Sequence, residues 1–439
     1  MTGFIDRLVG SLAAAGSRRT PAQRRAERLA ALLRTLISQR GEASGAALAL
    51  RALDAYRELD DAGRLHFFAL LARDFSPDRD AVLAAATAYH AIPNAAQLAT
   101  LQRVTEPPRQ EVFRRMNMAP GGTGLLLDLR CALLAAMKEH PQLAAVDNDL
   151  QHLLGSWFNR GFLELRRIDW STPAAILEKL IAYEAVHEIR GFPDLKRRLE
   201  RDRRCFAFFH PALPGDPLIF VEVAFVDELP ADVGPILALE SVVGDPKRAK
   251  CAVFYSITST QAGLRGVSFG NFLIKQVASD LRAELPRLKT FATLSPIPGL
   301  RAWARSLRLA GNEALEAAIA SKDSPPPRLR GPLEGLAAWY LTRVWEGGQI
   351  ADSVARFHLG NGARLERINW AADASTKGVK QSFGLMVNYV YDLDDVEHNH
   401  EEYVNRRVVV SSAAVDKLAN GAEPLVAESA RPAPPQSHS

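Results

Sequence analysis

AKCAVFYSITSTQAGLRGVSFGNFLIKQVASDLRAELPRLKTFATLSPIPG, residues 249–299, holds a strand, a loop, a helix and a second strand in that order. Cys251 to Ile257 is an apolar run rich in aromatic and β-branched side chains, which predicts a buried strand. Gly263, Gly266 and Gly270 punctuate the loop that follows. Phe272, Leu273, Val277 and Leu281 then recur at one-turn spacing, the mark of a helix. Thr290 to Leu294 predicts a second short strand ending at Ser295, because Pro296 and Pro298 cannot continue a ladder.

Strand, glycine loop and helix make a phosphate cradle. Glycine lets backbone approach a ligand closely, and the free N–H groups at a helix start favour an anion. Arg265 and Lys275 add positive charge. Many such turns carry glycine for steric reasons alone, so the spacing leaves both readings open.

The 439-residue chain is long enough for two or three domains. Its 47% hydrophobic and 24% charged residues are those of an ordinary globular protein. No apolar run reaches the roughly eighteen residues of a membrane span, so no membrane partner is expected. A formal charge of +4 neither demands nor excludes nucleic acid, and it suits a small polyanion at least as well. Cys131, Cys205 and Cys251 lie singly in apolar segments, which argues for a reducing, cytoplasmic setting and against disulfides. Phe4, Ile5, Leu8, Val9 and Leu12 read as a short amphipathic helix and not a transit peptide, since Asp6 interrupts the basic pattern. The stretch PLVAESARPAPPQSHS predicts disorder and lacks a terminal Ser-Lys-Leu.

From Pro21 to about Leu154 only helical periods appear, one of them with Leu29, Leu32, Leu33 and Leu36 on its face. No ligand-like cluster shows there, which suggests a packing or association domain. Leu163 to Trp170 reads as an extended connector. Ser171 or Thr172 is the expected cap of the helix that Pro173 opens. Cys205 to Phe209 and Leu218 to Val226 predict strands, the second buried on both faces. Ile236 to Val243 suggests another element. Further helices are expected over Leu300 to Leu309, Glu313 to Ile319, Gly335 to Trp345 and Val354 to Leu359. Leu365 to Trp370, Leu385 to Tyr391 and Val408 to Ser411 read as strands.

His358 ends a short helix before a Gly-Asn-Gly turn. Histidine titrates nearest neutrality and is the natural proton donor, though a lone histidine often serves packing only. Ser295 sits before a Pro-x-Pro-Gly bend, where its hydroxyl either faces a cleft or caps the next helix. His398 and His400 lie in an acidic stretch that could offer metal ligands but reads more readily as a solvated loop. No nicotinamide fingerprint, zinc spacing or nucleophile elbow appears.

FYSITSTQAGLRGVSFGNFLIKQV, LSPIPG, FHLGNGARLERINW and GLMVNYVY follow one another in the chain. Together they resemble the malonyl-CoA decarboxylase family, whose catalytic domain is similar to the GNAT acetyltransferase superfamily. The likeness extends upstream through GSWFNRGFLELRRIDW and RRCFAFFHPALPGDPL. It implies an α+β multidomain protein: an all-helical domain over 1–162, a GNAT-like α/β catalytic domain with a mixed sheet over 163–420, and a disordered tail over 421–439.

The resemblance also implies the chemistry, conversion of malonyl-CoA to acetyl-CoA and carbon dioxide. By motif, Ser295 and His358 are the catalytic pair. Ser256, Arg265, Gly266, Val267, Ser268, Phe269, Gly270, Asn271, Asn361 and Tyr391 are the substrate-binding set. Ser268 stands where relatives can carry glutamate, so no role of that carboxylate transfers. No metal or organic cofactor is expected, because the thioester itself takes up the electrons. A homo-oligomer through the helical domain is expected. An acyltransferase on the same scaffold, or an acyl-CoA-binding protein without catalysis, are the other readings.

Overall fold

The computed structural model describes residues 19–39, 41–267, 273–307, 309 and 312–429. The chain forms two compact units. The first comprises the chain up to Glu164, together with Phe209–Asp216 and the loop that begins at Gln261. The second holds Leu165–Phe208, Pro217–Thr260 and the remainder.

The first unit is helical: α1 (Pro21–Ser38), α2 (Glu42–Arg57), α3 (Asp61–Asp74), α4 (Arg79–Ala91), α5 (Ala95–Thr105), α6 (Pro108–Met118), α7 (Gly122–Ala136) and α8 (Ala144–Trp157). Local chemistry sets the ends. Thr20 and Gln23 form a reciprocal capping box with Pro21 at the first turn. Asp60, Asp78 and Asn94 cap α3, α4 and α5 with their side chains. Leu29, Leu33 and Leu36 are buried as the period predicts, whereas Leu32 is only half-buried. Helix α6 is not prevented by Pro107-Pro108. Pro108 is instead its first residue, a position that needs no N–H donor.

The second unit carries, among the described residues, an eight-stranded mixed sheet: β1 (Glu164–Ile168), β2 (Arg203–Phe209), β3 (Ile219–Val226), β4 (Cys251–Ser259), β5 (Thr290–Thr293), β6 (Ser295–Pro296), β9 (Arg364–Asn369) and β10 (Met386–Val390). A separate ribbon joins β7 (Trp345–Glu346) and β8 (Gln349–Ile350). Strands β2, β3 and β4 are antiparallel neighbours. Strands β4 and β5 run parallel, with Phe254 opposite Thr293. A parallel pair needs a crossover, and the helix Leu273–Glu284 supplies it. Strand β10 pairs antiparallel with β5 and β6 on one edge and β9 on the other. Helix propensity and continuous apolar runs therefore produce the expected helical region followed by a mixed-sheet domain.

In chain order the second unit's helices are α9 (Ala174–Tyr183), α10 (Phe192–Arg198), α11 (Gly234–Leu237), α12 (Leu273–Glu284), α13 (Leu300–Ala304), α14 (Glu313–Ala320), α15 (Arg330–Arg343), α16 (Ser353–Gly360), α17 (Thr376–Ser382), α18 (Val396–Arg406) and α19 (Ala413–Ser429).

Several expectations need correction. The connector at Leu163 to Trp170 contains β1 at the sheet edge. Pro173, not Ser171 or Thr172, is the cap of α9, because the Thr172 hydroxyl accepts the Asp169 N–H instead. Ile236 to Val243 gives only the single turn α11, with Val242 91% exposed beyond it. Helix α13 stops at Ala304, short of Leu309. Val408 to Ser411 makes one bridge to Leu365 and no strand, since helix α19 begins at Ala413. The acidic stretch with His398 and His400 is helix α18, and His400 Nδ1 lies 2.8 Å from the Gly360 carbonyl. Helix α17 carried no apolar period to announce it. Helix α19 runs to Ser429, past the expected start of the tail, because Ala422 packs onto Gly335 of α15.

Candidate active site

Three side chains named from the sequence meet inside the second unit. Ser295 Oγ lies 3.1 Å from His358 Nε2, and His358 Nδ1 lies 2.8 Å from the Tyr391 hydroxyl. Ser295 donates to Thr293 Oγ1 at 2.9 Å, and Thr293 Oγ1 also accepts the Tyr389 N–H at 3.2 Å. With the serine proton on Thr293, Nε2–H donates to Ser295 and Nδ1 accepts the Tyr391 proton. The imidazole also stacks on Tyr389, with ring centroids 4.6 Å apart.

Each member is placed by an element end. Ser295 follows the break between β5 and β6, where the strand leaves β4 and both pieces pair with β10. His358 lies in the last turn of α16. Asp352 caps the start of that helix by accepting the Val354 and Ala355 N–H groups at 3.0 Å. Its other oxygen accepts the Gly299 N–H at 3.2 Å, which ties the Pro-x-Pro-Gly bend to the histidine's helix. A Cβ on Gly299 would overlap the Tyr340 hydroxyl, so a larger residue there would have to displace that buried ring. Asn361 closes α16, its side chain donating to the Phe357 carbonyl at 2.7 Å.

Burial sets the electrostatics. His358 is 3% exposed, and loss of water pushes its pKa down to about 3. The ring is neutral at neutral pH. Burial likewise holds the Tyr391 phenol well above its ordinary value. A pH prediction follows from the histidine. Its folded pKa of about 3 lies below the ordinary 6.5 of an unfolded chain. Between those values the unfolded state binds the extra proton, so stability falls as pH drops from 7 through 6.5 toward 3. By pH 5 the loss amounts to about 2 kcal/mol. Denaturant unfolding at pH 7 and pH 5 should therefore show the wild type losing about 2 kcal/mol more than His358→Asn. Equal losses would mean that this imidazole is not buried neutral.

The other named residues sit elsewhere. The Ser256 hydroxyl donates to the Glu184 carboxylate at 2.8 Å and lies 3.3 Å from Thr258 Oγ1. The register between β3 and β4 shifts opposite Glu222 and Val223, which leaves Tyr255 as an extra, bulged residue on β4. Arg265, Gly266 and Val267 belong to the first unit, where Gly266 adopts a left-handed φ of 75°. Ser268, Phe269, Gly270 and Asn271 lie outside the described residues.

Residues the sequence reading missed are Thr293, Tyr389, Asp352, Glu184 and Arg130. Asp352 had a legible signal, an aspartate directly before a helical period. Arg130 had another, a charge set between Leu129 and Cys131 in the mostly apolar run LLLDLRCALLAA. Glu184, Thr293 and Tyr389 had none.

Comparison with known proteins gives a consistent result. The family model described as "Malonyl-CoA decarboxylase C-terminal domain" matches residues 161–429, and "Malonyl-CoA decarboxylase N-terminal domain" matches residues 75–158. The chain is similar to the mitochondrial malonyl-CoA decarboxylase of Rattus norvegicus, 35% identical over 349 residues, 71% of each chain. Its structure is similar to that of malonyl-CoA decarboxylase from Rhodopseudomonas palustris, with 48% identity and a TM-score of 0.85 over 89% of this chain and 99% of that one. The corresponding Agrobacterium vitis structure gives 44% identity and a TM-score of 0.83 over 89% and 99%.

Proposed function

The chain belongs to the malonyl-CoA decarboxylase family and is a carboxy-lyase acting on malonyl-CoA, and on that premise we propose which of its residues carry out the reaction. The bond between the α-carbon and the carboxylate breaks, and its electron pair stays on the α-carbon. That pair delocalises onto the thioester oxygen as an enolate while carbon dioxide leaves. A proton delivered to the carbon completes acetyl-CoA.

His358 and Ser295 supply that proton. The enolate carbon is a stronger base than any group in the Tyr391–His358–Ser295 chain, so a neutral imidazole N–H suffices as the acid. Ser295 passes its hydroxyl proton to the carbon and takes the Nε2 proton, Nδ1 takes the Tyr391 proton in turn, and the phenolate regains one proton from solvent in each turnover. The observation that carries this reading is the continuous hydrogen-bonded chain in a buried, uncharged setting. Low polarity also favours losing the substrate carboxylate as neutral carbon dioxide. Oxyanion donors are backbone N–H groups at the loop and strand ends, each worth about 3–4 kcal/mol. Arg265, Gly266 and Val267 hold the coenzyme. Ser256 and Asn361 support the site through their own bonds to Glu184 and to the end of α16.

The reaction needs no metal or organic cofactor, because the thioester is the electron sink. Incubating chelator-treated, dialysed protein with malonyl-CoA alone should yield acetyl-CoA and carbon dioxide in equal amounts. Activity that returns only with a divalent metal, or product only with an amine acceptor, would overturn this reading. Self-association through the first unit is supported by the α4–α5 hairpin, where Leu83 and Ile92 are 67% and 65% exposed. A monomeric mass by light scattering would reject it. The three cysteines are free thiols, which fits the cytoplasm as the proposed compartment; cell fractionation tests that assignment.

A further inference from the structure

We propose that Arg130 is a positioning residue for the coenzyme's diphosphate, turning the Arg265–Gly266 peptide so that the Gly266 N–H faces the ligand. The inference rests on reading Arg265–Val267 as the coenzyme loop. All the groups involved lie within the first unit.

Arg130 is 1% exposed in the apolar run of α7. A guanidinium tolerates such burial only when its donors are matched. Asp147 of α8 takes Nε at 2.7 Å and Nη2 at 3.3 Å, a fork that fixes the plane of the group. That plane aims Nη1 at two main-chain carbonyls, Gly263 and Arg265, each at 2.8 Å. Gln151 of α8 donates to the next carbonyl, Gly266, at 2.6 Å. The loop also lies hard against α7, since a Cβ on Gly263 would overlap the Leu127 carbonyl.

Three loop carbonyls are thus drawn toward α7 and α8. In a trans peptide the N–H of the following residue points the opposite way. The N–H groups of Leu264, Gly266 and Val267 therefore point away from the helices. Leu264 and Val267 spend theirs inside the turn, on the Gln261 and Leu264 carbonyls at 2.9 Å. The Gly266 N–H has no partner among the described residues, and Gly266 is exposed. Such an N–H at a left-handed glycine, next to the exposed Arg265, is an anion donor of the kind that binds phosphate oxygens.

The test compares two substrates in the full chain: malonyl-CoA, and malonyl-N-acetylcysteamine, which has the same reacting thioester without the diphosphate. Arg130→Lys keeps a charge for Asp147 but loses the fork. Arg130→Met with Asp147→Asn removes the clamp without stranding a buried carboxylate. Both should raise KM for malonyl-CoA about ten- to a hundredfold, the usual range for a bond to a charged group. The malonyl-CoA kcat should stay within about twofold, and kcat/KM for the short thioester should be unchanged. Equal losses on both substrates would reduce Arg130 to a structural role, and an unchanged KM for malonyl-CoA would overturn the proposal outright. Gly266→Val separates the two levels. If it weakens coenzyme A binding while the Arg130 variants do not, only this inference falls. If it binds coenzyme A normally, the loop reading itself fails.

Discussion

His358→Asn is expected to lower kcat by about two to four orders of magnitude, the usual span for general acid–base catalysis, with coenzyme A affinity unchanged. Asparagine occupies similar space, so packing against Tyr389 suffers little, but it has no ring to link Tyr391 with Ser295. Ser295→Ala should also reduce kcat far more than binding, because the hydroxyl meets the malonyl group and not the nucleotide. The double variant should be little worse than the poorer single one, since members of one proton route are not additive. Losses that multiply would assign the two residues independent roles. A fully active His358→Asn enzyme would remove the imidazole from the chemistry, and steady-state kinetics with malonyl-CoA decides the matter.

Gly362→Ala should destabilise the second unit by about 3 kcal/mol and lower activity with it. Gly362 follows the histidine's helix with a left-handed φ of 79°. A side chain there costs roughly 1–2 kcal/mol in backbone strain. Its Cβ would also overlap the Val396 carbonyl, which belongs to backbone at the start of α18 and cannot swing aside. Overpacking of that kind adds about 1–3 kcal/mol. Gly360→Ala, two residues earlier, is the control. It lies within α16, the nearest atom to its Cβ is 4.0 Å away, and alanine gains up to about 1 kcal/mol in helix propensity. Denaturant midpoints of the two variants should move in opposite directions, or Gly360→Ala should stay near the wild type. Similar destabilisation by both would mean that the turn after His358 tolerates a side chain at 362.

The local chemistry of single segments was legible in the sequence. Period-3.6 apolar faces gave the helices from Pro21 onward, and continuous apolar runs gave β2, β3 and β4. Glycine and proline spacing marked the loop at 263–266 and the bend at 296–299. Ser295, His358 and Tyr391 were named by their motifs, while the spacing of residues 295, 358 and 391 revealed nothing about their meeting. Helices α17 and α18 were hidden because their sequences are mostly polar: Ser375 caps α17, and α18 buries only Val396, Asn399 and Tyr403.

What only the tertiary structure decided is which groups share a site and in what electrical state. The pairing of β10 with both β5 and β6 brings Tyr391 to the histidine's ring, 33 residues away in the chain. Burial, a property of the assembled core, makes that ring neutral; no composition or spacing rule reports it. The same holds for Arg130, which meets Gly263 across 133 residues of chain. Sequence patterns record the preferences of near neighbours, within a turn of helix or a pleat of strand. Hydrogen bonds between distant segments depend on how those elements pack, and for this protein that packing decides where the proton comes from and which way the loop's amides point.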